Sequence, residues 1–259
     1  MKRQIKPKKI IQCGMLLAGL YLCLCASLYL KPRPAAPAQG DCMLYYIINT
    51  DGMKGLGHTI LMLKDEDGRG TVISFNGMQR TLGESLMGQS GVGKMSIETM
   101  DAEDTAAFLQ TGSLHLEGDQ LQDNYDRALY RPITAQEYRA VLAAAEPYLA
   151  AEAKFEALYT QWVFAKDDSQ KDSCRQRLAQ LGRDRSLPLY RLYTHNCDHA
   201  ARELASAADS DMREYALRTW HITPNGNLKA FGSSSARWGV IDLGETSPAE
   251  KILGFLMIF

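Results

Sequence analysis

The chain has no CxxC pair, no His/Cys spacing of the zinc-site kind, no internal repeat and no phosphate-binding glycine loop. These absences argue against a dithiol redox centre, a structural zinc module, a repeat array and a P-loop nucleotide site. Gly91-Val-Gly93-Lys94 lacks the remaining spacing that a P-loop needs. Acidic residues are absent from the first forty positions, which hold seven basic ones: Lys2, Arg3, Lys6, Lys8, Lys9, Lys31 and Arg33. The remainder carries 22 basic against 30 acidic residues, a net charge near −8. A body that acidic is a poor partner for nucleic acid or other polyanions.

Cysteine is also scarce outside the N-terminal stretch. Three of the six cysteines (Cys13, Cys23, Cys25) lie in an apolar run, and only Cys42, Cys174 and Cys197 belong to the body. An odd number there suggests one pair and one free thiol; a Cys42–Cys174 bond would leave Cys197 free.

The apolar run, Ile10 to Leu30, carries no charge and follows a basic cluster at residues 1–9. At helical rise its length spans a bilayer core, and the basic flank belongs on the cytoplasmic side. The expectation is a single-pass membrane anchor with the C-terminal domain extracytoplasmic. A cleaved signal peptide, giving a secreted protein, is the rival; Ala36-Pro37-Ala38 resembles a cleavage site but lies well past the run. Residues 31–42 read as a linker, stiffened by prolines. The body, residues 43–259, has ordinary globular composition, the whole chain being 46% hydrophobic and 23% charged.

Met43 to Asn49 is a β-rich run. His58 to Lys64 is apolar on both faces and predicts a central strand covered on both sides. Thr71 to Phe75 predicts its hairpin partner, with Asn76-Gly77 as the closing turn. Residues 78–100 are glycine-rich and read as a loop with short strands. Asp101 to Gln110 predicts a helix capped by Asp101, and Ser113 to Glu117 and Arg127 to Pro132 predict strands. His115 alternates with Leu114 and Leu116, which places it on a solvent-facing strand position. Thr134-Ala-Gln-Glu137 is a capping box opening a helical insert, about 134–183, interrupted at Pro147 and resuming from Ser169 to Leu181. Pro224 suits a first helical turn with Thr223 as cap. Trp238 to Leu243 predicts a last core strand, and the apolar stretch Lys251 to Phe259 a final docked strand.

The stretch Leu192-Tyr-Thr-His-Asn-Cys197-Asp-His199 carries the chemistry. Asn196 is a good N-cap, which puts Cys197 in the first turn, where free amides and the helix dipole favour a thiolate. Ala201, Leu204 and Ala208 follow at helical spacing, so the thiol faces the domain body. A lone helical Cys is, on the other hand, usually a small buried hydrophobe. A His that opens a strand, as His58 does after Gly57, is most often a hydrogen-bonded structural residue.

Three pieces nevertheless align: Gly57-His58-Thr-Ile-Leu-Met-Leu, then Val72-Ile-Ser74-Phe, then Asn196-Cys197-Asp198-His199. This order resembles the circularly permuted NlpC/P60 group of papain-like folds, which includes lecithin retinol acyltransferase-like proteins. Tyr190-Arg-Leu-Tyr193 and Thr223-Pro-Asn-Gly226 are similar to bacterial relatives of that group. The resemblance covers roughly residues 43–77 and 187–243. It implies an α+β permuted papain-like core, an antiparallel sheet packed on the Cys-bearing helix. It further implies Cys197 as nucleophile, His58 as base in a thiolate–imidazolium pair, and a polar orienting residue on the next strand. Ser74 takes that third place, where the family usually has His or Asn; Asn76, on the same strand face, is the substitute. Asn196, Asp198 and His199 then surround the nucleophile, and the Cys197 N–H helps hold an oxyanion. His195 is a rival base, ranked below His58 because it would have to fold back from two residues before Cys197. Trp220 and His221 are equally suited to a substrate groove and to the core.

The functional expectation is a thiol hydrolase or acyltransferase working through an acyl-enzyme on an amide or ester of a peptide, a cell-wall stem or a lipid. It requires no cofactor or metal and takes no nucleic acid partner. The alternative is a non-catalytic cell-surface binding module on the same fold.

Overall fold

The structure is a computed structural model and describes residues 11–20, 33–35, 40–50, 52, 57–77, 91–114, 123–184, 186–209, 224–234 and 237–244. Its class is α+β. The strands are β1 (Cys42–Asn49), β2 (His58–Lys64), β3 (Gly70–Gly77), β4 (Gly91–Met100), β5 (Ser113–Leu114), β6 (Asp123–Asn124), β7 (Arg127–Ile133), β8 (Leu189–Tyr190) and β9 (Gly239–Asp242). The helices are α1 (Ala102–Thr111), α2 (Ala135–Ala144), α3 (Glu146–Val163), α4 (Asp168–Leu181), α5 (Cys197–Ala205) and α6 (Pro224–Ser234).

The main sheet is antiparallel throughout, in the order β8-β4-β3-β2-β1-β7-β9, with the two-residue β8 joining its edge through Gly91↔Tyr190 and Val92↔Leu189. Strand alternation sorts the core into two layers. Leu44, Tyr46, Ile48, Leu61, Leu63, Ile73 and Phe75 face α2, α3, α5 and α6, through Val141, Tyr148, Ala201, Leu204, Leu228 and Phe231. Tyr45, Ile47, Ile60, Met62 and Val72 face the opposite way, onto Phe108, Leu114, Tyr125 and Leu243. Strand β2 is therefore covered on both sides, and its inner five residues are all buried.

Local signals set the helix starts. Asp101 caps α1 by accepting from the Asp104 N–H, and Thr134 forms a reciprocal capping box with Glu137. Helix α2 ends at Ala145, just ahead of Pro147, which occupies the first turn of α3 where its missing N–H has no intrahelical partner to lose. Asp167 caps α4.

Several expectations are corrected. Among the described residues no helix is long and apolar enough to cross a membrane. The helical stretch 11–20 rises about 15 Å, half of a bilayer core. The transmembrane helix expected over residues 10–30 is thus not part of the fold seen here; residues 10 and 21–30 lie outside the described set. Asn76-Gly77 does not turn: both residues stay in β3 and pair with Lys94 and Gly93 of β4. Residues 91–100 are one ten-residue strand rather than a loop with short strands, because β3 offers them a full-length edge. Whether Cys42 and Cys174 pair was open from the sequence; both are buried free thiols. The readings of residues 78–90, His115, Thr223 and Lys251 to Phe259 fall outside the described residues.

Candidate active site

Helix α5 starts at Cys197, with Asn196 as cap in extended backbone. The Asn196 side chain accepts from the His199 N–H at 3.1 Å and donates to the Leu192 carbonyl at 2.9 Å, so the cap is fixed from both sides. Cys197 is 2% exposed. The backbone N–H groups of Thr59 in β2, of Asp198 and of Cys197 itself pull its pKa down. These donors favour the thiolate, but burial outweighs them and pushes the thiol up to about 12.

His58 opens β2 and stands in a polar row with β3. Its Nε2 lies 3.5 Å from Ser74 Oγ, and Asn76 Nδ2 donates to the same oxygen at 3.0 Å. Asn76 therefore holds the serine rather than the imidazole. The His58 ring tilts onto Tyr125 with centroids 6.3 Å apart, and burial brings the imidazole down to about 4. The register explains the row: Ile60 pairs with Ser74, so His58, Ile60 and Ser74 share the face that carries Tyr125. Thr59, one residue on, shares the opposite face with Leu61 and Tyr46.

The structure thus brings His58, Ser74 and Asn76 together, and packs the helix that carries Cys197 on β2 and β3. Row and sulfur reach the end of β2 from opposite faces of the sheet. Thiol and imidazole are both neutral near pH 7, which corrects the expectation of a preformed thiolate–imidazolium pair; desolvation of both groups is the reason.

Asp198 is fully buried. Tyr46 donates to one carboxylate oxygen; Asn227 Nδ2, at 2.6 Å, and Arg202 Nε, at 2.9 Å, approach the other. Burial raises the Asp198 pKa against the pull of Arg202 and these donors. His199 Nδ1 is 2.9 Å from Asn196 Oδ1, and burial brings its imidazole down to about 4. His195 is turned away to a separate cluster: its Nε2 lies 3.2 Å from the Tyr148 hydroxyl and 3.3 Å from Glu203 Oε2, and its ring stacks on Tyr148.

Sequence reasoning missed Tyr46, Arg202, Asn227, Tyr148 and Glu203. Only the Asp198–Arg202 pair had a local signal, its i,i+4 spacing. Among the described residues no group of three or more His, Cys, Asp or Glu is arranged to hold a metal ion. Trp220 and His221 lie outside the described residues. Comparison with family models, with curated proteins and with solved structures gives no match to this chain.

Proposed function

We propose that the protein is a thiol hydrolase or acyltransferase acting on an amide or ester bond, with Cys197 as nucleophile and His58 as base. The observation that carries this reading is the seat of the sulfur. It lies at a capped helix start, where the backbone N–H groups of Thr59, Asp198 and Cys197 pull the thiol pKa down. The chain order that underlies the resemblance to permuted NlpC/P60 proteins supports it as well.

Because both groups rest neutral, proton transfer belongs to the attack itself. Proton transfer needs contact, so the end of β2 must first turn His58 from the Tyr125 face toward the sulfur; the thiol proton then passes to the imidazole as sulfur bonds to the carbonyl carbon, and the carbonyl electron pair moves onto oxygen. Collapse expels the amine or alcohol, which takes the proton from the imidazolium, and leaves a thioester on Cys197. Water or a second acceptor then releases the acyl group with the same base. Ser74 orients the ring, and Asn76 fixes Ser74. A peptide, a cell-wall stem or a lipid ester supplies the carbonyl.

One observation favours a second reading, a non-catalytic binding module: the sulfur is 2% exposed and neutral, as a core cysteine would be. Iodoacetamide labelling of the full chain, with peptide mapping at Cys197, separates the two. Labelling that slows at least tenfold on His58→Ala supports the enzyme. Labelling that is slow in the parent protein and unchanged in the variant supports the binding module. Turnover of wall fragments or lipid esters, lost on Cys197→Ala, then identifies the substrate class.

A further inference from the structure

Strand β9 ends the main sheet, and its sequence, Gly-Val-Ile-Asp, brings two β-branched residues and no lysine or proline to that edge. An edge of this kind invites a further strand. Among the described residues, what meets it is Arg33, which lies ahead of the first strand in the chain. The Arg33 N–H donates to the Val240 carbonyl at 3.0 Å, and the Val240 N–H donates back to the Arg33 carbonyl at 2.8 Å. Both backbone groups of one residue are thus engaged with β9. The Arg33 Nε also donates to the Trp238 carbonyl at 3.1 Å, which fixes the register from a second point. A third contact is steric: a Cβ at Gly239 would sit 2.7 Å from the Ala35 nitrogen, so glycine is what lets this segment lie against the strand.

The flanking residues give the segment a second property. Arg33 stands between Pro32 and Pro34. Neighbouring residues of a strand turn their amides to opposite edges. Arg33 turns its own toward β9, so position 34 turns away from it, and Pro34, exposed there, has no N–H to give. The segment joins the sheet on one side and offers a further strand no donor at Pro34 on the other. The opposite end of the sheet is closed by different means: β8 is only two residues long, and the Met95 N–H of β4 donates to Glu152 Oε2 of α3 at 2.9 Å. We infer that residues 33–35 are an edge guard: they fill the strand-addition site of β9 from within the chain, and so keep a second copy from pairing with it, β9 to β9 across a two-fold axis.

Amide exchange and sedimentation of the full chain test this, on the parent protein, Arg33→Pro and Arg33→Ala in one buffer. The first variant removes the N–H and the guanidinium, the second the guanidinium alone. In the parent protein the Val240 amide is expected to exchange about tenfold or more slower than an unbonded amide, the order expected for one hydrogen bond. At low concentration Arg33→Pro should speed that exchange about tenfold, and Arg33→Ala by less, with the amides of β1 unmoved. As concentration rises, the Arg33→Pro chain should gain mass relative to the parent protein, and Val240 should regain protection as it does.

A Val240 amide that exchanges freely in the parent protein overturns the inference, since the guard would not be seated. Protection that is the same in Arg33→Pro overturns it too, because the edge would then be held by something else. So does an Arg33→Pro chain whose Val240 exchanges faster while its mass follows the parent protein at every concentration: such an edge needs no guard. Amides of β1 that accelerate together with Val240 mark a chain loosened as a whole, and Arg33→Ala, which keeps the backbone donor, then decides by the same criteria.

Discussion

The Nε2 atom of His58 faces Ser74 Oγ at 3.5 Å, a long contact that does not offset the desolvation holding the imidazole near a pKa of about 4. An unfolded histidine titrates near 6.5, so the folded chain binds fewer protons in between. The stabilisation from a neutral His58 is complete above pH 6.5 and is lost as pH falls through 4, a change of about 3 kcal/mol. Urea midpoints measured between pH 8 and pH 4 should fall across that window. They should fall less in His58→Gln, which keeps a neutral polar group. His199, also brought down to about 4, contributes a residual slope that the variant retains.

Gly57 precedes His58 with φ +90°, and a Cβ there would sit 2.8 Å from Asn225 Oδ1 and 2.9 Å from the Pro224 Cβ. Asn225 has little room to yield, because its Nδ2 donates to the Thr50 carbonyl at 2.9 Å. Gly57→Ala therefore combines backbone strain with a clash against the start of α6. A loss of about 2 kcal/mol or more is expected, read as a drop in melting temperature. A melting temperature within a degree of the parent protein would show that the turn relaxes freely.

What could be read from the chain alone follows how far each interaction reaches. Asp101, Thr134 and Asn196 announce their helices because a cap needs only the next three residues. The pairing of β2 with β3 was readable because a short turn sets its register, and that register puts His58 in one row with Ser74. Asn76-Gly77 misled because a strong local turn signal yielded to a distant edge. Gly93 is present there because the Phe75 ring covers the place a Cβ would take, at 2.1 Å from its Cζ. The carboxylate partners of Asp198 were hidden for the same reason: Tyr46 is 152 positions away and Asn227 is 29. The charge-free run at residues 10–30 met a length criterion for a span, but the part of it that is described, residues 11–20, is a helix too short to cross a bilayer core.

Cys42 stands at the start of β1 and Cys174 inside α4, each buried as a free thiol. In chain denatured and alkylated without reductant, both should carry the alkyl group on peptide mapping. A linked pair of peptides, lighter by two hydrogens, would contradict the arrangement described here. The outcome also bears on Cys197, because with Cys42 and Cys174 unpaired the odd count of cysteines no longer singles it out as the free thiol.

Asp198 and Arg202 are 0% and 3% exposed and lie 2.9 Å apart on successive turns of α5. A buried pair of this kind gains little over an apolar pair of the same volume, because both ions have left water. Removing one member is a different matter. Asp198→Ala leaves the guanidinium buried without its counter-charge, and leaves the Tyr46 hydroxyl and the Asn227 amide without their acceptor. The expected loss is about 3 to 5 kcal/mol, measured by chemical denaturation. Replacing both ions, as in Asp198→Leu with Arg202→Met, should recover much of that stability while leaving Tyr46 without its acceptor. If positioning is what the carboxylate contributes, the double variant will fold yet label slowly at Cys197. Recovery of stability and labelling together would mean that Asp198 serves only to neutralise Arg202.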